Sequence, residues 1–221
     1  MHDLLPPDPN DLELLHTRDY EVRSFRMADD RMLLRGAVRD KKPAGLYVVD
    51  DPDPLTIHHM VVELEVSFPA MTIEAARVVF ETHPHDGCPR IVDHYEKLVG
   101  LSIARGFTHK VREYFGGPRG CTHTTALLQA MAPVAVQSTW SLRNRPGSNT
   151  QSVRAPQRMT LEQRRQLFAH NLNTCHVWDE HGEHVAAIES GNVVRPIWVV
   201  DRLLALGRDP EEWFGAVQPQ D

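Results

Sequence analysis

The stretch HHMVVELEVSF, residues 58–68, decides the fold because its apolar side chains recur with a period of two. Every even-numbered position from Met60 to Val66 is apolar, whereas Glu63 and Glu65 are among the positions between them. Successive side chains of a β-strand point to opposite faces. The alternation therefore predicts a strand with one face buried in a core and the other in water.

Three neighbouring segments share this strand character and predict an antiparallel sheet. They cover residues 20–26, 31–40 and 72–82. The aspartate pair at residues 29–30 favours a turn between the first two segments, and the break Phe68-Pro69-Ala70-Met71 favours a hairpin connection before the last. The four segments, taken in chain order, predict a meander.

Beyond residue 82 the apolar side chains take helical spacing. The longest periodic run extends from Thr122 to Trp140, and Pro133 is expected to kink or restart this helix. Shorter helical segments are expected at residues 91–99, 103–114, 160–171 and 197–206, and a hairpin at residues 176–188. Thr160 and Gln163 form the pattern of a capping box. The predicted fold class is α+β, an antiparallel β-meander packed against a helical layer, with a C-terminal helical and hairpin extension.

The composition changes along the chain indicate four parts. Three prolines among aspartates at the N-terminus resist regular structure, and the run Pro146 to Asn149 is typical of an exposed loop. We therefore expect an N-terminal arm (1–15), an α+β core (16–142), a linker (143–159) and a C-terminal extension that packs on the core (160–221).

The charge balance excludes one class of partner. The 221 residues include 24 Lys or Arg and 30 Asp or Glu, for a formal net charge of -6 at pH 7. Such a chain lacks the basic surface that neutralises nucleic-acid phosphates, so we expect no nucleic-acid partner. No run approaches the ~18 consecutive apolar residues of a membrane helix, and the N-terminus lacks the pattern of a signal peptide. We expect no membrane partner and a cytoplasmic location.

The segment most indicative of chemistry is FGGPRGCTHTT, residues 115–125, a glycine-rich turn that leads into the long helix. Glycines let a ligand approach the backbone, and unpaired amides at a helix start attract negative charge or a carbonyl oxygen. Cys121 is a candidate nucleophile or metal ligand, His123 a candidate base or second ligand, and His59 a further catalytic candidate. Candidate substrate-binding residues are Tyr114, Gly117, Arg119 and Gly120.

These residue types favour a small-molecule enzyme with an anionic or carbonyl-bearing organic substrate. The reaction classes that fit are lyase, hydrolase and isomerase chemistry without a redox cofactor. Neither a dinucleotide-binding glycine fingerprint nor a phosphate-loop motif occurs, so we expect no nucleotide cofactor.

A metal or iron–sulfur binding protein is the first alternative. An odd number of widely spaced cysteines fits a reducing compartment better than a disulfide framework. Candidate ligands are Cys88, Cys121, His123, Cys175 and His176, with zinc or iron as the ion. None of their spacings forms a Cys-x-x-Cys or His-Glu-x-x-His motif.

A second alternative is a non-catalytic binding or assembly module. An open meander leaves strand edges that need covering, and a homodimer would cover them.

Several short segments resemble the bacterial family DUF2889. They are His16-Thr17-Arg18, Arg31 to Pro43, His59-Met60-Val61-Val62, Ile73, Cys88, Tyr95 to Leu101, Gly106-Phe107 and Gly116 to His123. The resemblance covers residues 16 to about 140 and extends loosely to about 190, with Gly-Cys-Thr-His as its most specific piece. The chain departs from the family pattern at Thr124-Thr125-Ala126, where an apolar residue and a glutamate are expected. The resemblance implies the fold and names no activity.

Overall fold

The computed structural model describes residues 4–144, 159–192 and 196–215 of the chain. The chain divides into two compact units, Met1–Val134 and Ala135–Asp221. The linker expected at residues 143–159 lies, except at its ends, outside the described residues.

The first unit contains the predicted meander. Its strands are β1 (Thr17–Ala28), β2 (Arg31–Lys42), β3 (Leu55–Ser67) and β4 (Ile73–Thr82). They pair antiparallel in the order β1-β2-β3-β4, which confirms the predicted topology. The strands β1 and β2 extend beyond the segments that predicted them. The strand β3 begins three residues earlier and ends one residue earlier than predicted, and β4 begins one residue later.

One face of the sheet is buried, as the alternation in β3 predicts. Met60, Val62, Leu64 and Val66 have at most 1% of their surface exposed. Fully burying an apolar side chain of this size contributes roughly 1.5–3 kcal/mol. On the opposite face Glu63 of β3 accepts hydrogen bonds from Arg35 of β2 and Arg77 of β4.

Helical segments of the first unit follow the sheet. They are a 3-10 segment (Cys88–Leu98), α1 (Phe107–Phe115), a 3-10 turn (Gly117–Arg119) and α2 (Thr122–Asn144), whose last residues belong to the second unit. The expected helix start at Ile103 is wrong. Gly106 has a φ of 65°, a left-handed conformation that cannot continue a right-handed helix, so α1 begins at Phe107. The helix α2 continues through Pro133 and does not restart there.

Gly36 of β2 lets α2 pack closely on the sheet. A Cβ atom at this position would lie 2.8 Å from Sδ of Met131 and 3.1 Å from Cδ1 of Leu127. His123 lies one helical turn before Leu127 on the same side of α2, and Asp40 lies four residues beyond Gly36 on the same face of β2. The close packing therefore brings the start of α2 to the end of β2.

The second unit is helical in its described residues. It contains α3 (Leu161–Phe168), a 3-10 turn (His176–Trp178), α4 (Glu183–Glu189), α5 (Ile197–Ala205) and α6 (Glu212–Gly215). The predicted capping box at Thr160 and Gln163 is confirmed. The hairpin expected at residues 176–188 is wrong, because Val185 and Ile188 are buried at helical spacing on α4.

Within the described ranges, we find no helix that is both long and apolar enough to span a bilayer.

Candidate functional site

A row of polar side chains crosses the buried face of the sheet near one end. Arg18 of β1 pairs directly with Asp40 of β2, and Asp40 pairs directly with His58 of β3. Asp40 has the same parity as the buried Met32, Leu34 and Val38 of its strand. Its carboxylate therefore lies on the buried face of β2, at a position where the alternation of the strand predicts an apolar side chain.

Arg18 binds the Asp40 carboxylate through two hydrogen bonds. Its Nε donates to Oδ1 over 2.6 Å and its Nη2 to Oδ2 over 2.7 Å. Nε2 of His16 lies 3.5 Å from Oδ1. The Asp40 side chain is only 2% exposed. Burial alone would raise the pKa of this carboxyl, but Arg18, followed by His123, holds it well below its usual range. Asp40 is a buried anion at neutral pH.

His123, in the first turn of α2, connects this anion to a thiol. Its Nε2 lies 3.0 Å from Oδ2 of Asp40, and its Nδ1 lies 3.6 Å from Sγ of Cys121. Burial, and then the neighbouring His58, lower the pKa of His123 and outweigh the opposing effect of Asp40. The imidazole is therefore neutral at neutral pH. An anion at Nε2 favours the tautomer that carries its proton there, which leaves the lone pair of Nδ1 directed to the thiol.

Cys121 immediately precedes the first residue of α2 and is half-buried. Its backbone N–H donates to Oη of Tyr95 over 2.8 Å. Tyr95 is itself buried and stacks on Phe115 with ring centroids 4.7 Å apart. Burial raises the pKa of Tyr95, so the phenol stays protonated. The thiol is thus attached to a rigid, buried support.

His58, and not the expected His59, brings its ring to Asp40. Its Nδ1 lies 3.2 Å from Oδ2 of Asp40, and its ring stacks on that of His123 with centroids 3.9 Å apart. The Nδ1 atom is buried, yet it makes no hydrogen bond, because the approach to Oδ2 lacks hydrogen-bond geometry. His59 follows on the strand and directs its side chain to the opposite face.

Three of the predicted substrate-binding residues, Arg119, Gly117 and Gly120, stabilise or permit the conformation of the turn between α1 and α2. Arg119 donates from Nε to the carbonyl of Glu113 over 2.9 Å and from Nη2 to that of Arg112 over 3.3 Å, so its guanidinium caps α1. Gly117 has a φ of 60°, and a Cβ at Gly120 would lie 2.5 Å from the carbonyl oxygen of Phe115.

The ammonium of Lys110 lies over the ring of Tyr114, with Nζ 5.2 Å from the ring centroid. The substrate-binding roles of Tyr114, Gly117, Arg119 and Gly120 remain predictions.

One group among the described residues has the spacing of a metal site. Ligand atoms of Asp40, His58 and His123 all lie within 4.8 Å of one another. The group includes the predicted ligand His123 and none of the three thiols. Cys88 begins the first 3-10 segment, and Cys175 is exposed in the second unit. The cysteine-based metal site, including its ligand His176, remains a prediction.

Sequence reasoning missed Arg18, Asp40 and His58 as site residues. A signal for Asp40 was present, because the apolar alternation of β2 places this carboxylate on the face of Leu34 and Val38. A buried carboxylate requires a cationic or hydrogen-bonding partner. The parity of β3 likewise places His58 on the buried face with Met60.

Comparison with known proteins gives a family and no activity. The family model described as "Protein of unknown function (DUF2889)" matches residues 16–137. This range contains every residue of the site from His16 to His123. No curated protein matches the chain, and no solved structure matches it.

Proposed function

Because the chain belongs to the DUF2889 family, whose description names no activity, we propose its function from the site itself: a hydrolase of small carbonyl compounds with Cys121 as the nucleophile. The observation that carries this proposal is the connected series Cys121, His123 and Asp40. In this series Sγ lies 3.6 Å from Nδ1, and Nε2 lies 3.0 Å from Oδ2. Nucleophile, base and orienting carboxylate in this order form a catalytic triad, which is recognised by geometry and roles.

The members of the series have distinct roles. The neutral His123 accepts the thiol proton at Nδ1, which generates the thiolate that reacts. Asp40 keeps the proton of the resting imidazole on Nε2 and stabilises the imidazolium that forms. Arg18 is a positioning residue, because it fixes both oxygens of Asp40.

The reaction follows from these positions. Sγ of Cys121 attacks the carbonyl carbon of an ester or thioester, and the thiol proton moves to Nδ1 of His123. The imidazolium gives this proton to the departing alcohol or thiol, and an acyl-enzyme remains. A water molecule, deprotonated by His123, then attacks the acyl carbon, so that the carboxylic acid leaves and the thiol is restored.

The start of α2 supplies donors for the oxyanion of this reaction. The first N–H groups of an α-helix have no partner within the helix, and in α2 the first such bond runs from the N–H of Thr125 to the carbonyl of Cys121. The N–H of Cys121 is taken by Tyr95. The N–H of Thr122, the residue after the nucleophile, is therefore a candidate donor to the carbonyl oxygen.

Hydrolysis of an activated ester tests this proposal. Cleavage of p-nitrophenyl acetate by wild-type protein should release a rapid burst of p-nitrophenol that approaches one equivalent per chain, because the acyl-enzyme accumulates. Cys121→Ser should lose the burst, whereas Cys88→Ser should keep it. A burst that survives in Cys121→Ser, or disappears in Cys88→Ser alone, would assign the chemistry to another group.

A further inference from the structure

We propose that Asp40, His58 and His123 bind a divalent transition-metal cation of the Zn²⁺ type, and that the bound ion switches off the Cys121 thiol. The binding site stands on its own geometry. The inhibitory effect is a regulation of the same catalytic group and rests on the proposed function.

The donor atoms already have the spacing that an ion of this type needs. Zinc binds imidazole nitrogen and carboxylate oxygen at about 2.0–2.2 Å, which places neighbouring ligands of a tetrahedron about 3.3 Å apart. Oδ2 of Asp40 lies 3.0 Å from Nε2 of His123 and 3.2 Å from Nδ1 of His58. The ligand atoms of all three residues lie within 4.8 Å of one another, and the stacked rings of His58 and His123 would have to turn toward the ion to bind it together. A tetrahedral ion would keep its fourth position for water.

His58 supplies an independent indication of a ligand. Its Nδ1 is buried and makes no hydrogen bond, a state that costs roughly 1–3 kcal/mol. The distance from Nδ1 of His58 to Oδ2 of Asp40 is short enough for a hydrogen bond, but the angle between the two groups is unsuitable. An ion between the two atoms would satisfy both, and imidazole with carboxylate is a donor set that suits zinc.

The carboxylate has room for the ion while Arg18 stays bound. A carboxylate offers about four lone-pair sites on its two oxygens. Arg18 occupies one on each oxygen, and the Nε2–H of His123 points to the second site of Oδ2. The ion would replace that proton, and Arg18 would hold the ligating carboxylate in place, as partners behind metal ligands commonly do. The guanidinium charge will weaken binding, which suits a reversible effect.

Metal binding and base catalysis exclude each other at His123. An ion on Nε2 requires the lone pair of that nitrogen, so the proton of the neutral ring moves to Nδ1. Nδ1 is the atom that faces Cys121 Sγ at 3.6 Å. Once protonated, it cannot accept the thiol proton. The bound ion therefore removes the base of the series without contacting the thiol.

Calorimetric titration of chelator-treated protein with Zn²⁺ tests the site. Wild type and Cys121→Ser should each bind one equivalent, whereas His58→Phe, which keeps a ring against His123 and has no donor atom, should bind at least about tenfold more weakly. His58→Leu serves as a second variant if His58→Phe does not fold, as judged by circular dichroism. Absence of Zn²⁺ binding to wild type, loss of binding in Cys121→Ser, or wild-type affinity in a folded His58→Phe would each overturn the proposal.

The rate of Cys121 alkylation by iodoacetamide tests the inhibitory effect. Zn²⁺ at a concentration that occupies most of the wild-type sites, but few of the more weakly binding His58→Phe sites, should slow this alkylation severalfold in wild type and leave His58→Phe largely unaffected. Equal slowing in both proteins would overturn the regulation. If Zn²⁺ binds as described but the ester burst is absent from metal-free protein, the site stands and the hydrolase proposal fails. If the burst is present without Zn²⁺ binding, the reverse holds.

Discussion

Oδ2 of Asp40 lies 3.0 Å from Nε2 of His123, although the two residues are 83 positions apart in the chain. The contact joins the end of β2 to the first turn of α2. Because Arg18 fixes the buried carboxylate, the contact also fixes the orientation of the imidazole beside Cys121. Its geometry is the basis of both proposed activities of the site, thiol activation and metal binding.

Removal of the Asp40 charge should abolish most of the activity. Asp40→Asn keeps the shape of the side chain, but its amide can stabilise the wrong tautomer of His123 and cannot stabilise the imidazolium. By comparison with the corresponding change in other triads, we expect kcat for p-nitrophenyl acetate to fall at least about 100-fold. Asp19→Asn is the matched control, because Asp19 pairs with Arg39 on the exposed side of the same strand pair. Retention of more than half of the activity in Asp40→Asn would contradict the assigned role.

The close approach of α2 to β2 should tolerate no side chain at Gly36. Gly36→Ala places a methyl group 2.8 Å from Sδ of Met131, and such overpacking destabilises proteins by about 1–3 kcal/mol. Displacement of α2 should also lengthen the Asp40 to His123 contact, so the ester burst should fall with the stability. Gly87→Ala is the control, since a Cβ there meets nothing within 4 Å. Chemical denaturation measures the difference, and equal stability of the two variants would refute the packing argument.

Tyr95→Phe should make the position of the Cys121 thiol less well fixed, while the packing of the core changes little. The variant leaves the N–H of Cys121 without its acceptor, at a cost of about 1–2 kcal/mol in the free energy of unfolding. We expect kcat to fall several-fold because Sγ is less well fixed relative to His123, while KM changes little. Tyr47→Phe, in the exposed loop between β2 and β3, should match wild type in both measurements. An unchanged kcat in Tyr95→Phe would remove Tyr95 from the support of the site.

Glu63 should give the sheet a pH-dependent contribution to stability. Its carboxylate accepts hydrogen bonds from Arg35 of β2 over 2.7 Å and from Arg77 of β4 over 3.3 Å. Arg35, against the opposing effect of burial and with the help of Arg77, lowers the pKa of Glu63. A lowered folded-state pKa stabilises the fold above the unfolded pKa, and this stabilisation is lost as the pH falls through the folded value.

Glu63→Gln should therefore cost about 0.5–1 kcal/mol at pH 7, a modest figure because both arginines are largely exposed. The cost should vanish at pH values below the folded-state pKa. Glu65→Gln is the control, because its directly opposite residues are Leu33 and Ala75. Denaturation curves measured across this pH range provide the comparison. A cost of Glu63→Gln that is independent of pH would contradict the ionic origin.

The meander could be predicted from the sequence because its determinants are local. Strand periodicity and turn residues act over a few positions, and the alternation in residues 58–68 assigns the buried face without knowledge of any partner strand. The helix starts were less predictable. Gly106 interrupts an apolar pattern that continues on both sides of it. The helix α4 is so short that the helical spacing of its apolar residues cannot be distinguished from the alternation of a strand.

The site could be predicted only in part, because it depends on contacts between distant segments. Cys121 and His123 are neighbours in the chain, and their residue types and glycine-rich surroundings marked them. Asp40 and His58 join them only through strand register and through the packing of α2 on Gly36. His58 and His59 differ by a single position, which reverses the face. The even-numbered, buried Met60 indicates that His58, and not His59, lies on the buried face. The contact of Asp40 with His123, in contrast, could be identified only from the tertiary structure.

Relative alkylation rates of the cysteines test the central claim, that His123 activates Cys121, most directly. Metal-free protein is treated with a limiting amount of iodoacetamide at pH 7, and each thiol is quantified by peptide mass spectrometry. Cys88 is the internal reference, because it is half-buried like Cys121. We predict that Cys121 reacts at least about tenfold faster than Cys88 in wild type, and that His123→Ala reduces this ratio to about one. A Cys121 that reacts no faster than Cys88, or whose rate is unchanged in His123→Ala, would contradict the claim.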